Sequence, residues 1–204
     1  QEGYGLTEVG PNNFMANGKP GTIGHPMPHV DVKLVDAEGG EIPIGEKGEI
    51  LLRGPHTCAG YWNKSEETAK AFGGGWFHTG DLGQVDSDGH FSIVGRLKDM
   101  IISGGANIYP AEIERAIEGH PDVAGAAVIG VPDPKWGEVG KAVVELKPGA
   151  SLTLEALVSF LKNRLGKFKL PKYLKVVDTL PRTPASAKVQ KFILKDNHGG
   201  ADND

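Results

Sequence analysis

A single cysteine, few aromatic residues and the absence of any long apolar run set the limits of this chain. With Cys58 alone among 204 residues an internal disulfide is excluded, and the composition suits a reducing compartment such as the cytoplasm. The simplest role for that thiol is a small inert hydrophobe. Nowhere do apolar residues run far enough to cross a bilayer as a helix, and no secretory signal opens the sequence. Aromatic residues make up 7% and are sparse among the lysines, which argues against nucleic acid as a partner. The seven histidines lack metal-ligand spacing and no serine sits in a nucleophile elbow, so neither a zinc site nor a Ser-His-Asp hydrolase finds support. No internal repeat is visible.

What is present describes a globular protein. Hydrophobic residues make up 39% and charged residues 24%, enough for one or two packed cores. The net charge of −4 hides an uneven distribution: residues 1–140 hold ten basic against twenty acidic side chains, and residues 141–204 twelve against six. A basic C-terminal region attracts polyanions such as nucleotide phosphates, although charge alone is more often just a solvated face.

Local patterning separates two halves. Val30, Val32 and Leu34 alternate with polar residues, Gly48 to Arg53 forms a second apolar run, and 83–85 with 91–94 flank the hairpin signal Asp86-Ser87-Asp88-Gly89. Between them, Asn63 and Glu66 have the spacing of a capping box, which predicts a short helix to about Phe72. This half reads as a small twisted barrel or sheet. Beyond Gly95-Arg96, Met100 to Ile102 is a short strand and Ser103 to Ala106 a loop, and Pro110 starts a helix that stops at Gly119. Strands are expected over 126–131, 142–146 and 174–177. Thr153 caps a helix with Leu154, Leu157, Leu161 and Leu165 on one face and Gly166 past its end, and a short final helix covers 189–194. The fold class expected is α+β: a β-rich, distorted barrel-like part, then a compact domain with a small central sheet and flanking helices.

Four separated segments carry the chemistry: Tyr4-Gly5-Leu6-Thr7-Glu8, Trp76-Phe77-His78-Thr79-Gly80-Asp81, Gly95-Arg96-Leu97-Lys98-Asp99, and the late Lys188. Glycine lets the backbone approach a ligand, while Thr, Asp, Arg and Lys offer partners for phosphate and ribose oxygens. Taken singly, Thr-Glu reads as a helix cap, Thr-Gly-Asp as a turn before a strand, Arg96 as a surface ion pair and Lys98 as a loop lysine. In this order, from Gly3 to about Lys195, the segments resemble the adenylate-forming (ANL) superfamily, and the linking sequence resembles its acyl-CoA synthetase branch.

That resemblance implies a reaction and its parts. The superfamily activates a carboxylic acid with ATP as an acyl-adenylate, with Mg²⁺, and this branch passes the acyl group to coenzyme A. The resemblance gives catalytic roles to Lys188, Thr7 and Glu8, with Glu8 also a metal ligand. Nucleotide contacts fall to Tyr4, Gly5, Thr7, Asp81 and Arg96, with His78 left to packing or solvent, and the hinge to Lys98. Gly104, Gly105 and Trp136 line the path of coenzyme A. The Lys188 loop is one residue longer than the family pattern and carries Ala187 where glycine is usual, with Lys191 the alternative lysine. The family's phosphate-gripping loop is absent, so the chain reads as the C-terminal part of a longer enzyme, inactive alone for the full reaction. Its expected organisation is 1–97 from the large AMP-binding domain, 98–195 as the mobile C-terminal domain and 196–204 as a disordered tail. Fatty, aryl and short dicarboxylic acids all remain open as substrates, a fatty acid being the commonest case. A non-catalytic nucleotide- or CoA-binding module, and an adenylation domain that loads a carrier protein, are the competing readings.

Overall fold

β-Sheets frame both halves of the chain. The computed structural model describes residues 3–11, 13–16, 18–184 and 186–201 and separates into two units, residues 1–98 and 99–204.

In the first unit Phe14–Met15 (β1) pairs antiparallel with His25–Pro26 (β2). Asp31–Val35 (β3), Lys47–Arg53 (β4), Phe77–Val85 (β5) and Phe91–Arg96 (β6) form an antiparallel meander in that spatial order, with helix Ser65–Ala71 (α1) inserted after β4. Ile50, Leu52, Phe77 and Phe91 share a core with Tyr4, Val9, Phe14 and Ile23. Ile23 N–H donates to the Phe91 carbonyl and Phe91 N–H to that of Gly24, so the segment before β2 continues the sheet past β6. The β-rich half thus carries its pairing beyond the four-stranded meander.

Two local expectations fail here. Asn63 does not cap α1: the N-cap is Lys64, without a side-chain bond, and Asn63 adopts φ 52°, a left-handed conformation that asparagine tolerates. Thr68 Oγ1 instead accepts from Tyr61 N–H and donates to the Lys64 carbonyl, which ties the helix to the loop before it. Likewise Thr79-Gly80-Asp81 is not a turn before a strand but part of β5 itself.

The second unit is a five-stranded sheet with helices on both faces. Val123–Asp133 (β9) and Gly137–Leu146 (β10) form a long hairpin, and Tyr173–Val177 (β11) adds to β10 in parallel. Preceding them, Ile101–Ser103 (β7) and Ala106–Ile108 (β8) form a small hairpin that meets β10 at Gly137. The expected loop at 103–106 is thus the two-residue turn of this hairpin. Helices Pro110–Glu118 (α2) and Leu154–Leu161 (α3) cover one face. Ala126, Val128, Ala142 and Val144 meet Ile113, Ile117, Leu157 and Leu161 there. The intervening residues Ala127, Ile129, Val131 and Val143 point the other way, toward Leu180 and Leu194 of helix Lys191–His198 (α4).

Helix ends depart from expectation. After Leu161, Arg164 N–H donates to the Leu161 carbonyl and its guanidinium to that of Phe160, which closes α3 a turn early. Gly166 is extended rather than a C-cap. The final helix starts at Lys191, not 189, and runs into the stretch from 196 expected to be disordered, because Leu194 is buried and anchors it. Gly200 then accepts from the Lys141 ammonium, a side chain only 1% exposed in the middle of β10. Residues 202–204 of the expected tail lie outside the described residues. Thr153, as its sequence implies, accepts from Ala156 N–H. Thr153→Ala is expected to lower stability by about 1 kcal/mol, seen as a lower urea midpoint at unchanged slope. An unmoved midpoint would show that the cap contributes nothing.

Candidate functional site

In the first unit the site is organised around a buried carboxylate. Asp81 is 5% exposed and lies opposite Arg96 in the β5–β6 register. Tyr4 Oη donates to Asp81 Oδ2 at 2.8 Å, and Arg96 Nε faces Oδ1 at 3.1 Å. Burial, and then the adjoining carboxylate, push the Tyr4 phenol well above its ordinary value, so it stays a donor. Each carboxylate oxygen has two acceptor positions, so Asp81 retains capacity for further donors. Tyr4 packs edge-on against Phe14, at 5.6 Å between ring centres, and its hydroxyl braces Asp81.

Gly5 leads into a tight turn closed between Leu6 and Gly10, which holds Thr7 and Glu8. Gly5 and Thr7 are exposed, and Glu8 is half-buried. Thr7 and Glu8 wall a cavity of about 430 Å³ together with Cys58, Tyr61, Trp62 and Lys64. Tyr61 Oη donates to Glu8 Oε1 at 2.8 Å, and Cys58 N–H to the Glu8 carbonyl. Burial, followed by the bond to Glu8, pushes the Tyr61 phenol up to about 12. Glu8 thus keeps lone pairs beside an open cavity, a hard oxygen donor of the kind Mg²⁺ takes. Sequence reasoning missed Tyr61, whose contact spans 53 residues and leaves no local signal. Lys98, exposed in the single turn Leu97–Asp99, ends this unit.

Structure also gathers Asp86, Asp88 and His90 with ligand-like spacing, which the separated histidines did not suggest. The cation there is already supplied: Lys19 Nζ pairs with Asp86 at 2.6 Å and Asp88 at 3.1 Å. That ammonium, with backbone N–H groups of His90 and Asp88, holds the Asp86 carboxyl down at about 2.

In the second unit Gly104 and Gly105 form the β7–β8 turn at φ 56° and 81°, the two left-handed positions of a tight hairpin. Gly104 N–H donates to the Trp136 carbonyl, and a β-carbon at 104 would come within 2.6 Å of the indole. Glycine is therefore required by both conformation and contact. Trp136 is 40% exposed, with the ammonium groups of Lys135 and Lys172 4.8 and 5.6 Å from its ring. Asp133 fixes this corner by accepting from the Trp136 and Lys135 N–H groups and from Lys172 Nζ.

Lys188 is exposed at the end of a closed loop. Thr183 N–H donates to the Lys188 carbonyl, Lys188 N–H to Thr183 Oγ1, and Arg182 to the Ala187 carbonyl. Ala187 takes φ 52°, the conformation glycine would adopt freely, at a cost of about 1–2 kcal/mol for alanine. Alanine at this position thus stands in the left-handed backbone that glycine adopts without strain. Lys191, the alternative, is paired with Glu114 at 2.7 Å, both side chains largely buried, and so acts as an anchor of α4.

Each unit brings part of the expected set together. Tyr4, Asp81 and Arg96 touch; Thr7 and Glu8 share a cavity; Gly104 and Trp136 are in contact.

Comparison with known proteins places the chain in a family. Residues 1–62 match the family model described as AMP-binding enzyme, and residues 112–187 that of the AMP-binding enzyme C-terminal domain. A feruloyl-CoA synthase from an Amycolatopsis species is 48% identical over 97% of the chain and 41% of its own length. A fatty acid–[acyl-carrier-protein] ligase, ScoC, from Streptomyces coeruleorubidus is 43% identical over 97% of the chain and 39% of its own length. Among solved structures, the o-succinylbenzoate CoA synthetase MenE from Bacillus subtilis, bound to its acyl-adenylate, superposes with a TM-score of 0.89 at 37% identity. That likeness covers 97% of this chain and 41% of MenE. The chain therefore spans about two fifths of the length of these relatives. With both family models matched in order, and the clasp on Asp81 between them, the chain belongs to the AMP-binding enzymes of the adenylate-forming (ANL) superfamily and aligns with its acyl-CoA synthetase branch.

Proposed function

We propose that this chain is part of an ATP-dependent acid–CoA ligase that converts a carboxylic acid to an acyl-adenylate and then to a thioester of coenzyme A. The observation that carries the reading is the buried Asp81 clasped by Tyr4 and Arg96, inside a chain that matches AMP-binding enzymes. In the first step the acid's carboxylate attacks the α-phosphorus of ATP and pyrophosphate leaves. In the second the thiol of coenzyme A attacks the acyl carbon and AMP leaves.

Asp81 accepts from the ribose hydroxyls, and Arg96 adds a planar donor to ribose or phosphate. Thr7 donates its hydroxyl to a phosphate oxygen, and Glu8 offers its carboxylate to Mg²⁺, with Tyr61 fixing its rotamer. Bound there, the metal would neutralise charge on the phosphate oxygens. The exposed ammonium of Lys188 offsets the repulsion between carboxylate and α-phosphate. Lys98 serves as the hinge. The side-chain-free tip at Gly104-Gly105, beside Trp136, lets the thin pantetheine chain pass. A lone cysteine suits a cytoplasmic setting. Transfer to a carrier-protein thiol instead of coenzyme A is the second reading, favoured by the likeness to ScoC. Thioester formation from a supplied acyl-adenylate separates either enzyme from a mere binding module.

Three outcomes are expected in the full-length protein. Asp81→Ala and Arg96→Ala should each raise KM for ATP by about tenfold or more, measured by ATP–pyrophosphate exchange; unchanged ATP kinetics would remove the ribose role. Lys188→Ala should slow adenylation about 100-fold yet leave thioester formation from preformed adenylate near parental, and equal loss of both steps would count against it. The Tyr61 phenol should ionise only near pH 12, against about 10 when unfolded. Its raised value means that the stability it contributes is complete below about pH 10 and lost as pH rises through 12. An ultraviolet absorbance titration that shows this late step in the parent, and not in Tyr61→Phe, checks it.

A further inference from the structure

We propose that Glu49 is a positioning residue for the Thr79-Gly80-Asp81 bulge, its side chain standing in for the backbone acceptor that β4 fails to present. The role rests on the nucleotide reading of Asp81 given above.

The pairing of β4 with β5 defines the problem. Leu51 lies opposite His78 and Glu49 opposite Leu82, so three residues of β5, 79–81, face the single residue Ile50. Such a bulge re-aims a side chain at the expense of ladder hydrogen bonds. The groups left over must find other partners, because an unsatisfied backbone N–H away from water is destabilising. Here side chains supply them. Thr79 Oγ1 donates to the Ile50 carbonyl at 2.7 Å and accepts from Asp81 N–H at 3.0 Å. Gly80, at φ 67°, directs its N–H to Glu49 Oε1 at 2.9 Å.

Glu49 is itself held in place. Its side chain is 15% exposed, and its second oxygen, Oε2, lies 3.1 Å from His78 Nδ1. Next to His78, Gly73 has no side chain, and a β-carbon there would stand 3.4 Å from His78 Nε2. The histidine that the sequence leaves to packing thus orients the carboxylate. The chain of contacts runs from His78 through Glu49 to the Gly80 amide, and the next residue is Asp81. Because the carboxylate acts through backbone geometry, losing it should move Asp81 without touching the acid or thiol sites. A ribose contact is made alike in ground and transition states, so the effect falls on KM for ATP rather than on kcat.

The test compares Glu49→Met, which keeps length but has no acceptor for the amide, with Glu49→Gln, whose amide oxygen still accepts. In the full-length protein Glu49→Met should raise KM for ATP about tenfold with kcat and KM for the acid unchanged, and Glu49→Gln should restore it. Glycine-selective ¹⁵N labelling reads the contact without catalysis: the Gly80 amide should exchange faster with solvent in Glu49→Met and stay protected in Glu49→Gln. If Glu49→Met does not fold, Glu49→Ala removes the same acceptor. A parental KM in Glu49→Met, or equal impairment in Glu49→Gln, overturns the role. Asp81→Ala separates the two levels. If it raises KM while Glu49→Met does not, only the positioning role falls. If Asp81→Ala leaves ATP use unchanged, the nucleotide reading falls and the proposed role goes with it.

Discussion

A carboxylate removed from water must be met by donors, and Asp81 imposes that demand on the first unit. The Tyr4 hydroxyl and Arg96 guanidinium meet it from opposite directions in sequence, one from the start of the chain and one from the end of β6. Removing either would leave buried charge with an unmet partner, which is far more costly than the bond itself is worth. The clasp also explains why the segment around Tyr4, short of regular structure, holds its place: its ring joins the Phe14 and Phe91 core while its hydroxyl closes on the sheet. Packing and polar satisfaction therefore act on the same residue.

The second unit solves a different problem. Its central hairpin is buried on both faces, so β9 and β10 read as nearly continuous apolar runs whose alternate residues serve separate cores. Lys141 interrupts this pattern on the face covered by α4, where the Gly200 carbonyl receives its ammonium. Glu114 performs a related task between elements. One of its oxygens accepts from Val128 N–H on β9 and from Lys191 at the start of α4, so a single carboxylate links helix, strand and helix.

Regular elements were legible where periodicity was strong. The alternation around Val32 and Leu34, the Asp86–Gly89 hairpin, the Pro110 start and the Thr153 cap all follow from local chemistry. Local reading failed where a distant partner decides. Thr79-Gly80-Asp81 looks like a turn because glycine and aspartate favour turns, and only the register against β4 makes it a bulge within a strand. The four site segments were visible through their glycines and charged neighbours, whereas Glu49 and Tyr61 were not, since their contacts cross 31 and 53 residues. Asn63 had the right spacing for a capping box, but the chain turns left-handed there and the helix starts one residue later, after Lys64. At Ala187 the sequence hinted at an altered loop, and the backbone absorbed the extra methyl by strain.

The segment that carries Lys188 is moored at both ends. Arg182 and Val189 bridge at its neck, and two residues further the Lys191–Glu114 pair fastens the chain to α2. These two anchors hold the main chain on either side of Lys188. The ammonium's range is therefore set by rotation of its four-carbon stem. Measured from those anchors, the position of the charge follows the rotamers of that stem.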